Sequence, residues 1–353
     1  MSTRRTAALG IIAATALAAT SVAAVHAGPA VPTATSASAA ASIDPGSGPR
    51  FRVITDNDYS GDPDGLVQLA HLLLSPSVDI RAVVGSHLAP GDPFDSSTQQ
   101  ATNAAAKANQ LIALAGKQDT LTAVAGSNTA LADRRTPDGS VGAQAIIDEA
   151  MRTDTDDPLF VLVGGGLTDL ASAYLEQPKI ASRLTAIWIG GPEYPGLATP
   201  PPGASGVEYN TNIDINAARV VFDSPIKLWQ VPRDAYRQTL ASFPEMQARL
   251  KGTALGDYLY SSLDGIRTLA ASAGLNIGET YILGDNPLVL LSALQSSFEA
   301  DPSSSEYATV RAPRISAKGQ YVKNPQGRKI RVYTHLDTRL MMEDLYAKVS
   351  LAG

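Results

Sequence analysis

From about residue 51 onward the chain alternates two hydrophobic patterns. Phe51-Arg-Val-Ile-Thr55 is a short β-type run. After an Asp- and Gly-rich turn, Leu66-Val67, Leu69-Ala70 and Leu72-Leu73-Leu74 recur at helical spacing and stop at Ser75-Pro76. Ile80-Arg-Ala-Val-Val84 gives a second apolar run, closed by Gly85. The alternation continues with an Ala-rich helix over 101–115, a strand at Leu121–Ala125 closed by Gly126, and a helix over 143–152. Phe160-Val-Leu-Val163 runs into a triple glycine and a helix over 167–176, and Ala186-Ile-Trp-Ile189 runs into Gly190-Gly191. Short aliphatic runs ended by glycine and separated by helices predict an α/β fold with a doubly wound, mostly parallel sheet. Its site is then expected at the carboxyl ends of the strands.

Further on, Gly191–Gly206 is a long Pro/Gly loop at a strand end, where a substrate loop or a plain surface insertion are equally at home. Ile315–Tyr321 and Lys329–Tyr333 flank Asn324-Pro-Gln-Gly327, predicting a C-terminal β-hairpin, and 339–349 predicts a closing helix.

Ahead of this pattern, Arg4-Arg5, an apolar Ala/Ile/Leu/Val stretch and Val25-His26-Ala27 have the layout of a secretory signal peptide over 1–27. The stretch is Ala-rich and interrupted by Thr15, Thr20 and Ser21, a poor membrane span, so no stable membrane anchor is expected and the mature protein is expected to be secreted or extracytoplasmic. The arginine pair is compatible with either the general or the twin-arginine export route. Residues 28–48 are almost wholly Ala, Ser, Thr, Pro and Gly, too poor in large apolar side chains to bury a core, and are expected to form a disordered spacer. No second linker interrupts 49–353, which is expected to be a single domain.

Cysteine is absent, which removes disulfides, thiolate metal sites and a Cys nucleophile. A net charge of −6 without a basic cluster argues against nucleic acid and for a small-molecule partner. There is no G-x-S-x-G elbow, and Gly164-Gly165-Gly166 lacks dinucleotide-binding spacing. The segment richest in chemistry is Thr55-Asp-Asn-Asp-Tyr-Ser-Gly-Asp-Pro-Asp-Gly65. Asp56, Asp58, Asp62 and Asp64 crowd one turn between a strand and a helix. Like charges so close call for a cation, and oxygen-only donors suit Ca²⁺ before Mg²⁺, although an Asp-rich turn is also what a helix cap or surface loop requires.

Four segments in order resemble the inosine/uridine-preferring nucleoside hydrolase family. Val53-Ile-Thr-Asp56-Asn-Asp58 with Asp62 and Asp64 resembles its opening D-x-D-x-x-x-D-D turn, with a longer spacing and with Gly65 where a second adjacent Asp is expected. Gly165-Gly-Leu-Thr168-Asp169-Leu-Ala171 resembles G-P-L-T-N-L-A, with Asp169 replacing Asn. Glu208-Tyr209-Asn210 resembles E-F-N, and Gly284-Asp285-Asn-Pro-Leu288 lies where H-D-P-L is expected, with Gly284 replacing His.

The resemblance implies metal-dependent hydrolysis of the N-glycosidic bond of ribonucleosides for salvage, releasing base and ribose, by a divergent, exported member. It implies Ca²⁺ held by Asp58, Asp62, Asp64, Asp285 and the Thr168 carbonyl, with Asp58 also as general base. Asp64, His87, Glu208 and Asn210 are the implied substrate contacts, and a homo-oligomer is the usual state. His87, in a loop, is also simply solvated in the bland reading; Trp229 is better placed for packing than for base stacking; His335 either reaches over the site or caps the last helix; His71, inside the first helix, is structural. Gly65 and Gly284 keep open a catalytically weak sugar- or nucleoside-binding member, or a hydrolase of another N-ribosyl compound.

Overall fold

The computed structural model describes residues 48–204, 206–296 and 303–353; the expected leader and all of the spacer before Gly48 lie outside them. The first half of the described chain runs β1 (Phe51–Asn57), α1 (Asp64–Leu73), β2 (Val78–Gly85), α2 (Gln100–Leu114), β3 (Ala123–Ala125), α3 (Val141–Ala150), β4 (Leu159–Val163), α4 (Thr168–Glu176) and β5 (Leu184–Ile189). Then come α5 (Tyr209–Ile213), α6 (Ile215–Asp223), β6 (Lys227–Val231), α7 (Arg233–Tyr236), β7 (Leu240–Ser242), α8 (Phe243–Leu250), α9 (Ala254–Ser272), β8 (Thr280–Ile282) and α10 (Pro287–Leu290). The chain ends with β9 (Glu306–Arg311), β10 (Arg314–Ile315), β11 (Tyr321–Val322), β12 (Lys329–His335) and α11 (Thr338–Leu351).

Side-chain oxygens start many of these helices by accepting an otherwise orphaned backbone N–H. Ser140 does so for α3, Asp214 for α6, Thr253 for α9 and Asp337 for α11. At α1 the start is set by Pro63 and by Asp64 in the first turn, where the helix dipole favours a carboxylate.

The main sheet has eight strands in the order β3-β2-β1-β4-β5-β6-β12-β9, all parallel except the antiparallel edge strand β9. Helices cover both faces, so the inner strands are apolar on both sides: all five residues of β4 are buried. Alternate side chains enter opposite cores. Ile54, Val161 and Val163 join the cluster under α3, α4 and α6, whereas Val53, Phe160 and Leu162 join the one beside α10.

The C-terminal hairpin forms with different pairing from that expected. β10 and β11 pair with each other across the Ser316–Gln320 turn, and β12 instead enters the main sheet between β6 and β9. β12 is apolar on both faces, with Ile330 and Val332 buried in one core and Tyr333 in the other, and its Arg331 guanidinium lies 4.4 Å from the Trp229 ring and 4.4 Å from the Tyr307 ring. Trp229 also packs on Phe160 at 5.3 Å, the packing role expected of it. His335 ends β12 and is exposed; Asp337, not His335, caps α11. His71 is buried in α1 with Nε2 2.7 Å from Asp344, a structural contact.

At the carboxyl end of β2, Gly85 lets α2 come into backbone contact: a Cβ there would lie 2.3 Å from the Ala105 nitrogen and 2.8 Å from the Ala104 carbonyl carbon. Neither neighbour is a side chain that can swing away. Gly85→Ala is therefore expected to cost about 3 kcal/mol, read as a lower urea midpoint at unchanged slope. A loss below about 1 kcal/mol would show that α2 shifts freely and that the contact is not tight.

Candidate active site

The strand order reverses direction between β1 and β4, the switch point where an open α/β sheet leaves a crevice beyond its strand ends. Asp58 follows β1 directly and is buried. Its side chain lies against the end of β4, its Oδ2 only 3.0 Å from where a Cβ on Gly165 would stand.

Three more of the expected acids meet it. Asp285, in the turn between β8 and α10, accepts a 2.9 Å hydrogen bond from Asn57 Nδ2. Asp64 heads α1, with its Oδ2 3.1 Å from the position of a Cβ on Gly284. Asp62 accepts from the Tyr281 hydroxyl at 2.6 Å and from the Asp64 N–H at 3.2 Å. Gly65 stands against this group, since a Cβ there would lie 3.3 Å from Asp285 Oδ2 and 3.1 Å from Asn57 Nδ2. Any larger residue at 65 would press on the Asn57–Asp285 bond.

Burial dominates the electrostatics, and the acids then act on one another. Burial, followed by Asp62 and Asp92, pushes the Asp58 carboxyl up to about 7. Asp64 is raised well above the usual range by burial, then by Asp285, Asp62 and Asp58; Asp285 is raised by burial and then by Asp58. Among the described residues, the leading influences on these four acids are burial, hydrogen bonds and other carboxyls, with no Lys, Arg or His among them.

Asp92 is a functional candidate that the sequence reading missed. It lies in the loop after β2, is buried, and accepts from the Tyr209 hydroxyl and, at 2.9 Å, from the Phe94 N–H. Tyr209 and Tyr281 were likewise missed as neighbours of the cluster. Asp92 follows a strand and Tyr209 adjoins Glu208, whereas Tyr281, inside β8, carried no sequence signal. Beneath the cleft, Asp56 and Asp169 form a second, fully buried pair. Burial and then Asp169 hold Asp56 well above its usual range, against a lowering pull from the Ser86 hydroxyl. Asp169 is raised to about 6, chiefly by burial, while the Ser140 hydroxyl and Ser127 N–H bind its Oδ1.

The other expected contacts form two neighbouring groups. His87 is buried rather than solvated. Its Nδ1 is 2.9 Å from the Leu88 carbonyl, and its Nε2 is 2.9 Å from the hydroxyl of Thr168, which also reaches Asp214 Oδ2 at 2.9 Å. Glu208 caps α5, accepting from the Gly191, Asn210 and Thr211 N–H groups, the Thr211 hydroxyl and, at 3.2 Å, the Tyr236 hydroxyl. Asn210 donates to the Gly164 and Ile189 carbonyls at 2.7 and 2.8 Å, joining the ends of β4 and β5 and leaving Oδ1 for a ligand.

In donor chemistry the cluster suits a hard cation: four carboxyls, all oxygen, raised by mutual repulsion that a cation would relieve. Among the described residues no three His, Cys, Asp or Glu side chains converge as a finished metal cage, so the acids would have to rotate to close on an ion.

The model of inosine-uridine preferring nucleoside hydrolases matches residues 53–343. Solved structures with the same fold include a plant nucleoside hydrolase (19% identity, TM-score 0.64) and a purine-preferring ribonucleoside hydrolase from Gardnerella vaginalis (17%, 0.66). An inosine-uridine preferring nucleoside hydrolase from Bacillus anthracis is also similar (15%, 0.61). Each similarity covers 85% of this chain and 99% of the other. No curated protein sequence matches at a comparable level.

The raised carboxyls make a prediction with a definite sign. A folded-state pKa above the unfolded value of about 3.9 means the folded protein holds protons that the unfolded chain releases, so stability falls as pH rises from about 4 through about 7. The melting temperature of the metal-free wild type should therefore drop between pH 5 and 8 relative to Asp58→Asn, and millimolar Ca²⁺ should restore it at pH 8. Parallel pH curves for the two proteins would show that the cluster is not strained.

Proposed function

This chain belongs to the inosine-uridine preferring nucleoside hydrolase family, and from that premise we propose that it cleaves the N-glycosidic bond of a ribonucleoside with the aid of bound Ca²⁺. Membership makes it an N-glycosyl hydrolase; the choice of substrate and ion is our reading. The observation that carries it is the convergence of Asp58, Asp62, Asp64 and Asp285 at the β1/β4 switch point, where burial and one another are the leading influences on their carboxyls.

Asp58, Asp64 and Asp285 would hold the ion, with Asp62 and the Thr168 carbonyl completing the set. When bound, Ca²⁺ supplies a positive charge that acidifies a water and engages the ribose hydroxyls. Asp58, nearest the end of β4, accepts the proton of the water that attacks the anomeric carbon. The surrounding carboxylates stabilise the cationic character that develops on the sugar. Asn210 Oδ1 is free to accept from a ribose hydroxyl, whereas Glu208 acts by capping α5 and fixing the Tyr209–Asn210 segment beside the cluster. His87 positions Thr168 and through it the head of α4. In this reading residues 1–27 are removed on export, and the enzyme works outside the cytoplasm, returning base and ribose for salvage.

Free-ribose assays on purine and pyrimidine nucleosides, with and without a calcium chelator, test this. Chelation is expected to abolish turnover, and Asp58→Asn to lower kcat/KM by at least about 10²-fold. Turnover in Asp58→Asn close to wild type would remove Asp58 from the chemistry. Calcium binding without cleavage of any riboside would favour a sugar- or nucleoside-binding protein, the reading that Gly65 and Gly284 left open.

A further inference from the structure

Resting on the hydrolase reading above, we propose that the preferred substrates are ribosides whose leaving group is already cationic, N-ribosylpyridinium ions, rather than neutral purine or pyrimidine nucleosides. The two classes differ in what the leaving group needs. When water attacks the anomeric carbon of a neutral nucleoside, the C–N electron pair leaves on the base, which departs as an anion and must gain a proton. With a pyridinium, the same pair cancels the positive charge of the ring nitrogen. The products are ribose, a neutral pyridine and the proton taken up by Asp58, and no acid is consumed.

The side chains around the cluster are poorly equipped to supply that acid. Three phenols are close enough to be influenced by these carboxyls, Tyr59, Tyr209 and Tyr281, and each is already hydrogen-bonded. Tyr281 donates to Asp62, Tyr209 donates to Asp92, and Tyr59, fully buried, bonds Thr55. Tyr236 donates to Glu208, and both nitrogens of buried His87 are engaged, on Leu88 and Thr168. Asp58, Asp64 and Asp285 are spent on the ion and the water. At residue 284, which borders Asp64, the chain presents no side chain at all.

Charge points the same way. Five carboxyl groups, Asp58, Asp62, Asp64, Asp92 and Asp285, crowd one another at the cleft, more than one divalent cation would neutralise, and the nearby Arg233 is paired with Glu193 at 2.6 Å. Such a field attracts a cation and repels an anionic leaving group. The half-exposed Tyr209, anchored by Asp92, adds an aromatic face, which favours a cationic ring over a neutral one.

The test compares kcat/KM of the purified, calcium-loaded protein for N-ribosylpyridinium, inosine and uridine, in wild type and in Gly284→His. A Cβ at 284 would lie 3.1 Å from Asp64 Oδ2 and 3.6 Å from Ile282 and Tyr236, so the Asp64 carboxyl must give by a few tenths of an ångström to admit one. The pyridinium riboside should exceed both neutral nucleosides by at least about 10²-fold, the scale of general-acid catalysis, and Gly284→His should narrow that ratio at least about tenfold. Independently of whether the variant folds, KM for the pyridinium riboside should rise several-fold from low to physiological salt, with KM for inosine nearly constant. Equal or faster cleavage of inosine or uridine, or a pyridinium KM insensitive to salt, would overturn the substrate preference and leave the hydrolase reading standing. Cleavage of none of the three would overturn both.

Discussion

The arrangement depends on holding several carboxyls out of water at one point of the sheet. Two unit charges about 4 Å apart at an effective dielectric near 20 repel by about 4 kcal/mol, several times what one hydrogen bond returns. Asp58, Asp64 and Asp285 resist ionising together under such conditions, and among the described residues the leading influences on them are burial and other carboxyls. The fold tolerates the strain because the acids are carried by separate, well-packed elements: the end of β1, the head of α1 and the turn before α10. Each element is fixed by its own apolar contacts, through Val53 and Ile54, Leu66 and Val67, and Leu288 and Val289. The hydrophobic cores thus set the positions, and the repulsion is a consequence that a bound cation would relieve.

The polar residues divide into two kinds by whether their hydrogen bonds are satisfied. Glu208, His87, Thr168 and Asn210, all expected from the sequence to touch substrate or metal, spend most of their capacity on the protein. Glu208 accepts from three backbone N–H groups, and Asn210 uses both amide hydrogens on the ends of β4 and β5. A group so occupied is preorganised and costs little to keep in place, and it also has little left to offer a ligand. The cluster acids are the reverse: poorly compensated, raised in pKa and available.

Much of this was legible in the sequence because it is local. Strand ends marked by Gly85, Gly126 and Gly164 placed the site on one edge of the sheet, and the crowding of Asp56, Asp58, Asp62 and Asp64 announced repulsion without coordinates. What was not legible is long-range. Asp92 belongs to a loop whose sequence carries no motif, and only the return of Tyr209 against it brings it to Asp58. The pairing of β12 was hidden for a similar reason: Asn324-Pro-Gln-Gly327 is a good turn by local chemistry, but Arg331 gains more between Trp229 and Tyr307 than a hairpin with 315–321 could return.

The same distinction bears on two of the positions where the sequence departs from its family, Gly65 and Gly284. Read locally, each is a missing side chain and hence a sign of lost function. In three dimensions they differ. Gly65 lies where a Cβ would crowd the Asn57–Asp285 hydrogen bond, so its smallness preserves a contact that orients one of the acids. Gly284 has the looser surroundings, with a single tight neighbour, Asp64 Oδ2, and its smallness preserves no bond of that kind. A side chain absent from a position where only one carboxyl oxygen would have to give removes a chemical group without removing a structural support. The acids next to it keep their places, so the change falls on which leaving groups the site can serve rather than on whether the site forms.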